Sequence, residues 1–196
     1  MKHFSTKNII IIGILSALSF ILMLINVPLP FFPPFLKIDI ADIPAFIGFI
    51  LFGGGVGFLI IILKIVLYSI IAASEPIGPL GNLIASISYL LPMYLIYRKA
   101  KTTKSLFTGI LVGTLVLTIV LSLLNYFVLL PLYGMIIDQR DIIENLKTLI
   151  TVGIIPFNIV KGLLVGVVIY LVHLKIIPVL KNVTEKNGAG TNDSAP

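Results

Sequence analysis

The sequence predicts an all-α integral membrane protein, a bundle of six transmembrane helices with a Pro-rich first outer loop, and three observations carry that prediction. Of its 196 residues 58% are hydrophobic and only 11% charged, with a mean hydropathy of +1.15, which leaves too little polar surface to cover a water-soluble fold of this length. The apolar residues fall in runs near the ~20 residues needed to cross a ~30 Å hydrocarbon layer. Proline, glycine and charged residues collect between those runs, where the chain has to turn.

The first run, about Asn8 to Ile25, follows Lys2 and Lys7 and looks like a signal peptide in its charged start, but no small-residue cleavage site comes after it, so it reads as a retained helix. The link Val27-Pro-Leu-Pro-Phe-Phe-Pro-Pro-Phe35 stops any helix, because proline lacks the amide donor and biases its preceding residue towards extended backbone. Helix two starts near Asp39 to Asp42, where a carboxylate can cap the first amides and Pro44 fits the first turn, and ends at Phe52, short for a full span. Gly53-Gly-Gly55 turns the chain into helix three, about Val56 to Ala73. Glu75-Pro-Ile-Gly-Pro79 turns it again into helix four, about Leu80 to Tyr97, with Pro92 as a kink point. After the basic link Arg98-Lys-Ala-Lys101 with Lys104, helix five runs from about Leu106 to Leu130 and ends at Pro131. A polar stretch with Asp138, Arg140, Asp141, Glu144 and Lys147 precedes helix six, about Thr148 to Leu174, and has room for an interfacial helix. Residues 1–180 are thus one membrane domain, and the Gly/Asn/Ser-rich stretch from Lys181 to Pro196 is an expected disordered tail.

Six spans put both ends on one side of the membrane. That side holds Lys2, Lys7, Arg98, Lys99, Lys101, Lys104, Lys175, Lys181 and Lys186, nine cations, against Lys37, Arg140 and Lys147 on the other, so both termini are expected in the cytoplasm. The net charge of +6 then reflects topology and attraction to anionic lipid, and no basic stripe interleaved with aromatics points to a nucleic-acid partner. Cysteine is absent, which removes disulfides, thiolate metal sites and a thiol nucleophile. His3 and His173 lie near opposite ends of the chain and read as interfacial side chains, with no metal site built on them.

Catalytic machinery is not visible. No Gly-x-x-x-x-Gly-Lys phosphate loop occurs, and Gly53 to Gly57 runs into Phe-Leu-Ile where such a loop would need Lys and Ser or Thr, so ATP hydrolysis is excluded for this chain. There is no His-Glu-x-x-His, no Gly-x-Ser-x-Gly and no carboxylate pair within one span, which disfavours an intramembrane protease or a proton relay.

What remains is a set of polar residues where lipid makes them costly. Lys161 lies at mid-depth of helix six with Asn158 one turn before it, on the same face; Asn125 near the outer end of helix five and Asn82 at the start of helix four converge on the same level. Amides that both donate and accept, beside a charged donor, can read the carbonyls and ring nitrogens of a heterocycle; the alternative is hydrogen bonding between helices. Lys64 in helix three pairs with Asp42 or Asp39, or extends its stem to an interface. Glu75 is a solvated loop carboxylate or the rim of a pocket. Phe31, Phe32, Phe35 and Leu36 make the Pro-rich link apolar enough to pack as a lid. With Tyr126 and Phe127, its aromatics either sandwich a flat ring or anchor at the membrane interface. Small residues recur at four-residue spacing in Gly13/Ala17, Gly109/Gly113 and Gly162/Gly166; the last two pairs read as packing within the bundle, the first as a face for a partner protein.

Several of these segments carry a resemblance. Phe35-Leu-Lys-Ile-Asp-Ile-Ala-Asp-Ile-Pro44 leading to Phe52-Gly-Gly-Gly, then Glu75-Pro-Ile-Gly-Pro-Leu-Gly-Asn82, Asn125-Tyr-Phe and Pro156-Phe-Asn-Ile-Val-Lys-Gly162 stand in the order found in the riboflavin-specific S components of energy-coupling factor (ECF) transporters, and the chain resembles that family from about Asn8 to Pro178. The resemblance implies a non-enzymatic subunit that captures riboflavin from outside and works with one transmembrane coupling protein and two cytoplasmic ATPases. It implies no cofactor, with riboflavin as transported substrate. By position it implies flavin contact from Leu36, Asn82, Asn125, Asn158 and Lys161, the last four being the polar patch already found. It also implies a coupling-protein contact at Gly13 and Ala17, where the family usually has alanine at both places. Three rivals stay open: an S component for a different vitamin; a self-sufficient secondary carrier, for which no internal repeat is visible; and a membrane structural protein whose polar patch is only bundle glue.

Overall fold

The computed structural model describes residues 6–33, 35–73, 76–136, 145–175 and 177–179. Lys2, His3, Glu75, the polar stretch from Asp138 to Glu144 and the tail from Lys181 lie outside the described residues. The fold is a helical membrane bundle. Its helices are α1 (Thr6–Leu24), α2 (Asp42–Phe52), α3 (Gly54–Ile71), α4 (Ile77–Ala100), α5 (Thr103–Leu124), α6 (Leu130–Ile136), α7 (Leu146–Thr148) and α8 (Ile155–Lys175). Two-residue strands β1 (Val27–Pro28) and β2 (Lys37–Ile38) pair antiparallel and pinch the Pro-rich link between them. Four segments are long and apolar enough to cross a bilayer: Gly54–Ile71, Ile77–Ala100, Thr103–Gly134 and Leu146–Val179. Asn8–Leu24 and Asp42–Phe52 are apolar but shorter.

α2 is 11 residues long, about 16 Å at the α-helical rise. Most of it is buried: Ile43, Pro44, Ala45, Phe46, Gly48 and Phe49 all face protein, so it fills the centre of the bundle. Gly53 alone joins it to α3 at φ +94°, a backbone region that side chains rarely adopt. That sharp reversal lays the two helices against each other, with Gly57 beneath the Phe49 ring. The core they share with α4, α5 and α8 includes Ile60, Ile61, Tyr89, Leu90, Met93, Leu106, Leu117 and Ile169.

Asp42, expected as a possible cap, instead turns inward from the first turn of α2. It meets Lys64 of α3 at 2.5 Å, while Ser86 of α4 donates to the same carboxylate oxygen at 2.6 Å and accepts from Lys64 at 3.0 Å. Lys64 is 2% exposed, so of the alternatives open in the sequence the structure selects pairing with Asp42. A buried ion in a bilayer needs such a partner, because burying it alone costs far more than pairing it.

The small residues of α5 and α8 are spent on internal packing. A Cβ on Gly113 would stand 2.6 Å from the Tyr89 carbonyl oxygen, and one on Gly162 would stand 2.6 Å from Thr114 Oγ1. Tyr89 uses that closeness to donate to the Gly162 carbonyl at 2.6 Å. On α1 the pattern points elsewhere: Gly13 has nothing within 4 Å of its would-be Cβ, and Ala17 is exposed beside Ile14, Leu18 and Ile21.

The fifth helical segment corrects an expectation. Pro131 does not end it: a π turn over Asn125–Leu129 lets the Leu130 amide reach back to the Asn125 carbonyl, and α6 continues through the proline. The sixth segment repeats the device, with a π turn over Leu149–Ile154, an Ile155 amide bonded to the Ile150 carbonyl, and Pro156 next. Proline in a regular helix collides with the carbonyl four residues back; an inserted residue just before it widens the turn and relieves the collision. The link between α4 and α5 is tight, with Lys101 at φ +53° closing one helix and Thr102 capping the next through a reciprocal pair with Ser105.

Candidate functional site

The helix ends opposite the Arg98–Lys104 link enclose a cavity of about 320 Å³, within the range of small-molecule sites. The Pro-rich link covers it. Phe32 stacks edge-on against Phe157 of α8 at 5.6 Å, Phe35 lies 6.3 Å from the Tyr133 ring of α6, and Pro33 rests near Gly153. These contacts pin the loop to the two helical segments that contain π turns.

All five residues singled out from the sequence as substrate contacts line this one cavity. Leu36 comes from the loop, Asn82 from the first turns of α4, Asn125 from the π turn after α5, and Asn158 with Lys161 from α8. Their hydrogen-bonding states differ. Asn82 donates to the Gly78 carbonyl of its own helix at 3.3 Å, and Asn125 to that of Leu121 at 2.7 Å. Asn158 is only 5% exposed and makes no side-chain hydrogen bond among the described residues. An amide on the cavity wall with both functions uncommitted can donate to and accept from a polar ligand.

Lys161 is held by Asp39, which the sequence reading had not placed in the site. The ammonium stands 3.4 Å from Asp39 Oδ2, and Oδ1 of the same carboxylate accepts the Ala41 amide at 3.0 Å. Asp39 lies between β2 and α2 and lines the cavity, whereas Asp42 is in the helix and meets Lys64. Asn26, Tyr68, Tyr133 and Phe157 also line the cavity and were likewise missed, having no charge within an apolar run to mark them. Tyr126 and Phe127, suggested as ring contacts, stack on each other at 4.9 Å and are not on the cavity wall. Gly13 and Ala17 lie on α1, whose cavity contribution comes only from Met23 at its far end. Among the described residues no three His, Asp or Glu side chains come together to hold a metal ion.

The family model for the ECF transporter substrate-specific component matches residues 7–173. The chain belongs to that family. As an S component it is 45% identical over 177 residues to the riboflavin transporter RibU of Staphylococcus aureus (strain TCH60), covering 90% of this chain and 94% of the relative. It is 36% identical over 176 residues to the riboflavin transporter FmnP of Bacillus subtilis (strain 168), covering 88% and 93%. Among solved structures, one described as the S component of a bacterial ECF transporter superposes with a TM-score of 0.78 at 42% identity, over 89% of this chain and 98% of that one. The chain is therefore a multi-pass membrane protein with the S-component fold, and its relatives are transport components, not enzymes.

Proposed function

We propose that this S component binds riboflavin in the 320 Å³ cavity and delivers it through an ATP-driven ECF importer. The observation that carries the reading is the convergence of Asn82, Asn125, Asn158 and Lys161 from three separated segments on one covered cavity, with the Asn158 amide unspent. Riboflavin supplies the matching chemistry: a flat ring system with carbonyl and ring-nitrogen acceptors and one imide donor, and a hydroxylated side chain. Amides and an ammonium read the first; Phe157, Tyr68 and Tyr133 offer apolar faces to the ring. Riboflavin transporters among its relatives, RibU and FmnP, support the same cargo.

In this reading α1 and α2 join the four long segments to give six passes, with both termini in the cytoplasm. The cavity opens at the end remote from Arg98, Lys99, Lys101 and Lys104, and the excess of cations on that basic side makes the cavity the outward one. Coupling protein and two ATPases supply the energy, and the exposed Gly13 and Ala17 face of α1 is the surface offered to the coupling protein.

The test is a riboflavin titration of the ligand-stripped protein in detergent, followed by flavin fluorescence and repeated on sealed right-side-out vesicles. Saturable one-to-one quenching in both is expected. Asn158→Ala and Lys161→Ala each lose on the order of tenfold or more in affinity, the loss expected when a buried charged or amide hydrogen bond to ligand is removed. Wild-type affinity in both variants would sink the site, and a folded protein that quenches nothing would sink the cargo.

A further inference from the structure

We infer that the groove between α5 and α8 at the basic end of the bundle seats one anionic phospholipid, with its phosphate at Lys104 and an acyl chain laid between the two helices. The groove is separate from the ligand cavity, which lies at the opposite helix ends, and its occupant does not depend on the cargo.

The groove has a volume of about 540 Å³ and is walled by facing stripes of the two helices. On α5 the stripe is Lys104, Phe107 and Leu111; on α8 it is Leu163, Val167 and Tyr170, each set at the three- and four-residue spacing that keeps side chains on one face. The helices close up at Gly166, where a Cβ would stand 2.4 Å from Ile110 Cγ2. Phe107, Leu111, Leu163 and Val167 flank that approach and are 42–58% exposed. From Lys104 to Leu111 the wall extends about 10 Å at the α-helical rise, long enough to lay down a stretch of hydrocarbon chain.

The polar end of the groove carries an uncompensated positive charge. Lys104 lies there in the first turn of α5, and Arg98, Lys99 and Lys101 are exposed on the link just before it. None of the four forms an ion pair among the described residues, and no Asp or Glu occurs between Glu75 and Asp138 to neutralise them. α5 begins at this level, so the positive end of its dipole adds to the same field. Charge complementarity therefore selects an anion, and the apolar walls beyond Lys104 select one with a hydrocarbon tail. A zwitterionic lipid brings its own ammonium to a place that already holds four cations, while a water-soluble phosphate leaves the walls uncovered. The exposed Gly13 and Ala17 face lies elsewhere, on α1, which packs chiefly on α2 and α3.

Delipidated protein in detergent is titrated with dioleoyl phosphatidylglycerol, with dioleoyl phosphatidylcholine and with glycerol phosphate, and bound lipid is counted by native mass spectrometry. One phosphatidylglycerol is expected to bind saturably, about tenfold or more tighter than phosphatidylcholine, with glycerol phosphate failing to displace it. Lys104→Gln lowers phosphatidylglycerol affinity about fivefold and narrows its lead over phosphatidylcholine. Val167→Trp, at an exposed wall position, fills the groove without touching a charge and lowers the affinity at least as much. Lys175→Gln, an exposed cation at the same end of the bundle but off the groove, stays within about twofold of wild type. Equal binding of the two lipids, displacement by glycerol phosphate, wild-type affinity in Val167→Trp, or the same loss in Lys104→Gln and Lys175→Gln would each overturn the inference.

Discussion

Lys64 and Lys161 are both lysines in apolar helices, yet the structure gives them opposite duties. Lys64 is locked between Asp42 and Ser86 and touches no cavity large enough for a ligand, whereas Lys161 shares its carboxylate with open space. Their substitutions should separate accordingly. Lys64→Met strands a buried carboxylate and is expected to destabilise the protein by about 3–5 kcal/mol, whereas the Asp42→Leu, Lys64→Met pair recovers most of that loss. Thermal unfolding in detergent measures both; equal melting temperatures for wild type and the single variant would refute the assignment. Both lysines stood out in the sequence because a cation within an apolar run is conspicuous. Their partners did not. Asp39 and Asp42 are three residues apart and offer the same chemistry, and which one meets which lysine depends on where α2 begins. A helix starting at Asp42 leaves Asp39 outside it, on the cavity wall.

At the level of helices, the apolar runs and their Gly/Pro boundaries were readable to within a few residues because bilayer thickness and proline stereochemistry leave few choices. The π turns were not readable. A single inserted residue leaves no periodic mark, and proline at 131 was read as a stop when it signals a widened turn that continues. Those turns matter to the site, since one of them presents Asn125 and the other precedes Asn158 by a single turn. The small-residue pairs share one spacing but divide in the structure, those of α5 and α8 packing inside the bundle and Gly13 with Ala17 lying exposed on α1. Gly113→Ala pushes a methyl against the Tyr89 backbone carbonyl, which cannot rotate away, and should cost about 1–3 kcal/mol. Gly13→Ala meets open space and should change the stability of the isolated protein by less than about 0.5 kcal/mol. Melting curves of the two variants that coincide would contradict this division of the helix faces.

For the whole molecule, the architecture separates a buried scaffold from a chamber of about 320 Å³ at one end. α2 and the Asp42, Lys64 and Ser86 cluster occupy the centre, the cores of α4, α5 and α8 close around them, and the chamber lies where the Pro-rich link, the start of α4 and the π turns meet. The cancelling of the interior charges has an electrical consequence. A net charge carried through the membrane field does work of about 2.3 kcal/mol per 100 mV. Asp39 with Lys161 and Asp42 with Lys64 sum to zero, and the proposed cargo is uncharged. However the helices move to pass that cargo inward, the interior they carry with them is blind to voltage. Riboflavin uptake by the assembled importer is expected to run at the same rate with or without an imposed potassium diffusion potential, whereas a dependence on voltage would mean that one of those pairs parts during transport. With the proposed ATPases as the energy source, a cell whose membrane potential collapses would keep taking up the vitamin for as long as its ATP lasts.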